Sequence, residues 1–320
     1  MRILVIRLSA LGDIVHALPA LTDLRRALPE ATIDFAVDER FVDVARLHGG
    51  VSNVLPIALK RWKRHPGATN TWRELYQTLG HLRHHTYDLV LDLHGLNKSA
   101  LLARLARSSL RIGPHPRFCG EWLAPRLYSR YCSAPGPITP VPRMRAFVAD
   151  ALGQTTSLPA SYGLVCRWQA RQSQSDQVVL AHSSSARDKL WPEAHWIALG
   201  QMLKRRGLQV LLPWGSPSEK ERSVRLAQAV GEAAEVAPSL SIAQWAEKLS
   251  RCRLVIGVDT GLTHLAAAAG VPCAALFMAT GAELFAPEQP QRARALGDLH
   301  QSPSLDVVSR AVVELLDHTR

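Results

Sequence analysis

The chain has 320 residues, 47% hydrophobic and 20% charged, which is long enough for about two domains that each bury a core. With 20 Gly and 20 Pro, this composition excludes a disordered, collagen-like or low-complexity protein. Lys and Arg number 38 against 27 Asp and Glu, a formal net charge of +11, which favours a nucleic acid, an anionic membrane surface or a phosphorylated or carboxylated substrate. The excess is local: residues 51–150 hold 15 basic and 5 acidic side chains, whereas 151–320 are nearly balanced. Cys119, Cys132, Cys166, Cys252 and Cys273 are scattered, with no C-x-x-C pair. That spacing argues against a disulfide framework or zinc site and for a reduced compartment. No run reaches the roughly 18 to 20 apolar residues that a membrane span needs. In residues 1–8 Arg7 interrupts the apolar run, and Asp13 follows before any small-residue cleavage site. This stretch reads as a soluble, cytoplasmic start rather than a signal peptide.

In chain order, residues 2–8 form a β-branched strand, Ser9-Ala10-Leu11-Gly12-Asp13 a tight loop, and 14–28 a helix with apolar spacing at Leu18, Leu21, Leu24 and Leu28. Strands follow at 33–37 and 87–93, then a helix over 98–106. Prolines cluster at Pro135, Pro137, Pro140 and Pro142, and a polar run occupies 171–176, so the domain junction is expected within about 150–176. Strands recur at 178–181, 208–213 and 254–258, with helices between and after them. Leu305, Val308, Val312, Leu315 and Leu316 give 305–318 the spacing of an amphipathic closing helix. Such alternation predicts two doubly wound α/β domains in tandem, which bind ligands at the carboxyl ends of their strands.

No two glycines and no two aspartates are separated by one residue, and no Walker pattern is present. A dinucleotide fingerprint, a P-loop and a D-x-D metal clamp are therefore absent. Two polar strand exits remain. Asp259-Thr260-Gly261-Leu262-Thr263-His264 follows an apolar strand and opens an Ala-rich helix. It reads as an anion site at a helix N-terminus, with Thr260 and Thr263 adding hydroxyls, or as an ordinary capped helix. His182-Ser183-Ser184-Ser185-Ala186-Arg187-Asp188-Lys189 offers three hydroxyls and two cations to phosphate oxygens, or is a solvated loop. Asp13, where the first strand meets its helix, is a general-base candidate or an N-cap. The cluster Lys60-Arg61-Trp62-Lys63-Arg64 sets an aromatic among cations, which suits base stacking or a lipid headgroup layer. His81, His84 and His85 include an i,i+4 pair but read mainly as a solvated helix face.

Ser9-Ala10-Leu11-Gly12-Asp13, Lys60-Arg61-Trp62-Lys63-Arg64, Gly95-Leu96-Asn97-Lys98-Ser99-Ala100, Asp188-Lys189-Leu190-Trp191-Pro192 and Asp259-Thr260-Gly261-Leu262-Thr263-His264 occur in that order. As a set spanning essentially the whole chain, they resemble the ADP-heptose glycosyltransferases that assemble the lipopolysaccharide inner core. The resemblance implies a GT-B fold, two Rossmann-like domains facing each other across a cleft. Residues 1–165 would bind the acceptor, joined by the closing helix 305–320, and 166–304 would bind ADP-heptose. It further implies inverting transfer of L-glycero-D-manno-heptose to a Kdo sugar of Kdo-lipid A, with neither a cofactor nor an essential metal. Asp13 would be the general base, and Lys189 would stabilise the leaving diphosphate. Ser184, Ser185 and Lys189 would grip the diphosphate and heptose. Asp259, Thr260, Gly261 and His264 would hold the donor, Glu219 would meet its ribose, and Leu240 would lie beside its adenine. Lys60, Arg61, Lys63, Arg64, Arg117 and Arg143 would meet Kdo carboxylates and lipid A phosphates. The protein would associate peripherally with the cytoplasmic face of the inner membrane and bind no nucleic acid. Serines stand at 184 and 185 where the family often has threonines. Ala10 replaces a usual serine, which removes a hydroxyl donor close to Asp13. The alternatives are a sister transferase that adds the second heptose and, from another class, a basic nucleic-acid-binding protein.

Overall fold

The computed structural model describes residues 1–132, 139–155, 158–165 and 175–318. Pro135, Pro137, Cys166 and the polar positions 171–174 lie outside the described residues. The chain divides into two compact units, Met1–Gly163 and Leu164–Arg320.

The first unit runs β1 (Arg2–Ile6), α1 (Leu11–Ala27), β2 (Thr32–Asp38), α2 (Val42–Arg46), β3 (Asn53–Ile57), α3 (Leu59–Arg64), α4 (Thr69–His84), β4 (Leu89–Asp92), α5 (Asn97–Leu105), β5 (Arg111–Gly113), β6 (Arg130–Tyr131) and α6 (Pro140–Leu152). All its strand pairs are parallel, in the order β3-β2-β1-β4-β5-β6. Ile3, Leu4, Val5 and Ile6 are wholly buried, as a central strand covered on both faces requires. The unit closes at Gly163, whose φ is +59° and whose Cβ position would meet His48 and Thr22, so only glycine fits there. His48 Nδ1 accepts the Gly50 N–H at 3.0 Å, and its Nε2 lies 2.9 Å from Thr22 Oγ1. Burial, then the charge of Arg25, pushes this imidazole down to about 4.

The second unit runs β7 (Gln177–Ala181), α7 (Glu193–Arg205), β8 (Gln209–Leu212), α8 (Pro217–Val230), β9 (Ala234–Val236), α9 (Ile242–Arg251), β10 (Leu254–Val258), α10 (Gly261–Ala268), β11 (Cys273–Phe277), β12 (Ala293–Gly297) and α11 (Leu305–Asp317). Its parallel sheet is ordered β12-β11-β10-β7-β8-β9, the same winding as the first unit's when counted from its own first strand. Side-chain caps start α8 at Ser216, α9 at Ser241 and α11 at Ser304.

The closing helix corrects one expectation. Val308, Val312, Leu315 and Leu316 of α11 are buried in the second unit's core beside Trp191, Trp196, Leu254 and Leu276. The helix lies against α7, β10, β11 and β12, and Trp191 donates its indole N–H to Pro303 O just ahead of it, at 2.9 Å. Its apolar stripe completes the second core. Among the described residues no helix is long and apolar enough to cross a membrane.

Candidate active site

In a doubly wound sheet the crevice opens where neighbouring strands carry their crossovers to opposite sides. That point lies between β1 and β4 in the first unit and between β7 and β10 in the second. Residues 7–13 and 93–98 leave the first switch point, and 182–189 and 259–264 leave the second. The side chains picked out from sequence as strand exits therefore follow the strands that flank the two switch points.

At the second switch point Asp259 is the hub. One carboxylate oxygen receives Lys189 Nζ at 2.6 Å and Thr280 Oγ1 at 2.7 Å, and the other receives His264 Nε2 at 2.7 Å. Burial works to raise the Asp259 carboxyl, but the hydrogen bonds from His264 and Lys189 prevail and hold it far below the carboxylate range. The ammonium of Lys189 has three donors and gives this one to Asp259. Ser184 Oγ is 3.5 Å from Asp259 O, while Ser185 is exposed. Thr260 and Gly261 form the start of α10, with Thr260 as the backbone N-cap. Gly257 lets β10 pass close beneath α10, since a Cβ there would run into Thr263.

Thr263 itself departs from expectation. It is fully buried and donates to Val258 O at 2.8 Å, so its hydroxyl ties helix to strand and is not offered to a ligand. Behind the serines, Ser223 donates to Pro213 O at 3.1 Å and lies 2.8 Å from His182 Nε2, while Ser183 lies 2.8 Å from His182 Nδ1. With Nε2 as donor and Nδ1 as acceptor, this neutral ring turns the Ser183 oxygen outward as an acceptor. Burial, then the charge of Arg222, pushes His182 down to about 4. Glu219, in the first turn of α8, accepts the Gly215 N–H at 2.7 Å, and half-buried Leu240 lies in the loop before α9. Both follow strand ends of the same sheet.

At the first switch point Asp13 occupies the third position of α1 and is not its N-cap. Its Oδ1 pairs with Arg7 Nη2 at 3.0 Å, and its Oδ2 accepts the Ala10 N–H at 2.9 Å. The backbone of residue 10 thus orients the carboxylate although the residue carries no hydroxyl. Sequence reasoning missed Arg7, His94 and Lys98. Arg7 Nη1 donates to Leu93 O at 2.8 Å, His94 Nδ1 accepts the Leu8 N–H at 3.1 Å, and Lys98 Nζ reaches Ser9 Oγ at 3.4 Å. The signal was available, because His94 leaves β4 as His182 leaves β7.

The basic cluster separates by function. Trp62 is only 8% exposed and donates its indole N–H to Glu74 at 3.0 Å. It can neither stack on a base nor enter a headgroup layer, because α3 turns it inward. Arg61 bridges Glu39 and Glu74, with contacts of 2.7 Å to each. Lys60, Lys63 and Arg64 are exposed and carry no ion pair among the described residues. Two exposed aromatics lie on the next helix, α4, Trp72 at 61% and Tyr76 at 79%. Arg117 is exposed after β5, and Arg143 is half-buried in the first turn of α6. Among the described residues no group of three or more His, Cys, Asp or Glu lies together as a metal site, His81, His84 and His85 included.

The family model for glycosyltransferase family 9 (heptosyltransferase) matches residues 70–312. Lipopolysaccharide heptosyltransferase 1 of Pseudomonas aeruginosa is 39% identical over 284 residues, covering 87% of this chain and 78% of that one. The enzyme of that name from Escherichia coli K12 is 33% identical over 275 residues, covering 85% and 86%. The structure of E. coli heptosyltransferase WaaC with ADP-2-deoxy-2-fluoro heptose superposes with a TM-score of 0.83 at 30% identity, covering all of both chains. E. coli ADP-heptose LPS heptosyltransferase II shares the fold, with a TM-score of 0.78 at 20% identity over 99% of each chain. Two Rossmann-like units of identical winding, with a fixed carboxylate at one switch point and a cationic, hydroxyl-lined cradle at the other, agree with these likenesses. The chain is a glycosyltransferase of GT-B fold and belongs to glycosyltransferase family 9, the heptosyltransferases.

Proposed function

We propose that this enzyme transfers L-glycero-D-manno-heptose from ADP-heptose to a Kdo sugar of Kdo-lipid A, with inversion at the anomeric carbon. The observation that carries the reading is the cradle around Asp259, where Lys189, Ser184 and the start of α10 gather donors for a diphosphate. The nucleotide's sugar and base would extend towards Glu219 and Leu240. Asp13 takes the proton from the acceptor hydroxyl as that oxygen attacks the anomeric carbon. The bond from that carbon to the diphosphate breaks, and ADP leaves with the electron pair. The two remaining Lys189 N–H donors and the backbone N–H groups of α10 stabilise the charge that develops there.

Lys60, Lys63 and Arg64 are free to meet lipid A phosphates, while Arg61 fastens their helix through Glu39 and Glu74. Trp72 and Tyr76, exposed on the next helix, have the amphipathic character that suits the headgroup layer of an anionic membrane. The protein would thus work peripherally on the cytoplasmic face of the inner membrane.

The test is ADP release from ADP-heptose, with and without Kdo-lipid A, by wild type and Asp13→Ala. Release that depends on the acceptor and falls by several orders of magnitude in Asp13→Ala, with ADP affinity retained, is expected. Release only with an acceptor that already bears one heptose would reassign the enzyme to the second addition. An Asp13→Ala rate equal to wild type would refute the base assignment.

A further inference from the structure

Two consecutive serines at the exit of β7 serve different sides of the second unit's switch point. In the sheet β7 lies between β10 and β8. Ser184 Oγ turns towards the residue after β10, at 3.5 Å from Asp259 O. Ser183 Oγ is held towards the other neighbour. It lies 2.8 Å from His182 Nδ1, and the far nitrogen of that ring lies 2.8 Å from Ser223 Oγ on α8, the helix that follows β8. Arg222, next to Ser223, donates to Trp191 O at 2.7 Å, so α8 braces the exit loop at both ends.

What each atom can donate or accept fixes the protons along this row. Pro213 O only accepts, and the Ser223 hydroxyl lies 3.1 Å from it, so the Ser223 proton points there. Ser223 Oγ then accepts from His182 Nε2, which leaves Nδ1 bare, and the Ser183 hydroxyl donates to Nδ1. The opposite tautomer would set the lone pairs of Ser223 against those of Pro213 O. His182 and Ser223 are both wholly buried, where such a mismatch is costly. Burial, then the charge of Arg222, pushes the ring down to about 4, so near neutral pH it carries one proton only.

A free serine can donate or accept, but Ser183 has spent its only proton and offers lone pairs alone. An ionised phosphate oxygen brings no proton and would be repelled, whereas a sugar hydroxyl can donate. We propose that half-buried Ser183 accepts a hydrogen bond from a ribose hydroxyl of the donor nucleotide and so selects ribonucleotides over deoxyribonucleotides. Strand order favours the ribose. Asp259 follows β10, Ser183 follows β7, Glu219 follows β8 and Leu240 follows β9, the order of diphosphate, ribose and base along an extended nucleotide. The base amino group, another donor, belongs with Leu240, two strands away. Glu219 spends Oε2 on the Gly215 N–H and keeps a second oxygen, so the two ribose hydroxyls would meet one acceptor each. His182 and Ser223 are positioning residues. The assignment rests on the donor reading above and adds a residue to it.

Two measurements on the full-length enzyme test it. The first is calorimetric binding of ADP, 2′-deoxy-ADP, 3′-deoxy-ADP and ADP-heptose to wild type, Ser183→Ala and Ser183→Thr. Ser183→Ala should weaken ADP by about fivefold or more, as loss of one hydrogen bond implies. It should leave one deoxy analogue at its wild-type affinity, which also shows that the variant is folded. Ser183→Thr keeps the hydroxyl and should keep the wild-type preference for ADP. Equal loss for ADP and both deoxy analogues would set the oxygen against the diphosphate and overturn the proposal, as would no loss for any ligand. A loss confined to ADP-heptose would move the contact to the transferred sugar and overturn the ribose assignment.

The second measurement reads the row of protons without ligand. In enzyme labelled with ¹⁵N-histidine, the ring whose Nδ1 resonance moves in Ser183→Ala should carry its proton on Nε2. A proton on that Nδ1 would overturn the proposal. Neither measurement needs turnover, so the readings fail separately. Ribose selection through Ser183 without transfer to Kdo-lipid A would defeat the acceptor reading alone. Tight ADP binding that is indifferent to Ser183→Ala would defeat the Ser183 assignment alone, and a wild type that binds no ADP would defeat both.

Discussion

At the scale of single residues, the chemistry depends on how few side chains hold several partners. Asp259 organises Lys189, His264 and Thr280 at once. Asp259→Asn keeps the shape but sets amide donors against an ammonium, and it is expected to weaken ADP binding by about tenfold or more in a calorimetric titration. If the proposed reaction holds, Lys189→Ala removes a cation from the leaving diphosphate and should lower kcat by about a hundredfold to a thousandfold. The positions of Asp13, Lys189 and Asp259 after β1, β7 and β10 were legible in the sequence because each is a polar residue that follows an apolar strand. Arg7 and His94 were not, because their meaning depends on partners far away in sequence. Arg7 contacts Leu93, 86 residues on, and His94 contacts Leu8. Thr263 was misjudged for a related reason: its type suggests a donor, but the close approach of β10 and α10 consumes the hydroxyl.

At the scale of elements, legibility followed length and burial. β1 and β10 are continuous apolar runs, and the sequence reveals them. β3 carries Pro56 and is half exposed, while β5 and β6 have three and two residues, too short for any period to show. Helix α3 escaped in another way, because six residues cannot reveal that Trp62 points inward while its charged neighbours point out. If α3 and the first half of α4 meet an anionic bilayer, Trp72→Ala with Tyr76→Ala should reduce sedimentation with phosphatidylglycerol vesicles. ADP binding in the second unit should stay at the wild-type level. Unchanged sedimentation would remove the aromatics from the membrane contact. Trp191 links α11 to its sheet, being fully buried with its N–H on Pro303 O. Trp191→Ala is expected to cost the second unit about 3–5 kcal/mol in urea unfolding.

At the scale of the whole molecule, two buried histidines and the half-buried His94 make stability depend on pH. His48 and His182 are pushed down to about 4 and His94 to about 3. The unfolded chain binds these protons near the ordinary value of about 6.5, whereas the folded chain does not. Their contribution is therefore complete above about pH 6.5 and is lost on acidification towards pH 4, at up to about 1.4 kcal/mol per pH unit for each group. Two of the three lie in the first unit, so hydrogen exchange at pH 5 should show it loosening more than the second relative to pH 7.5. The tandem winding was legible from the strand–helix alternation, but the home of the last helix was not, because amphipathic spacing says that a helix packs and not on what. That placement has a consequence for synthesis. Every element of the first unit precedes Gly163, so a nascent chain can finish that unit while the second is still being translated. The second core must wait for Leu305–Asp317, and a ribosome stalled before that helix would leave a finished first unit followed by a second whose core cannot close.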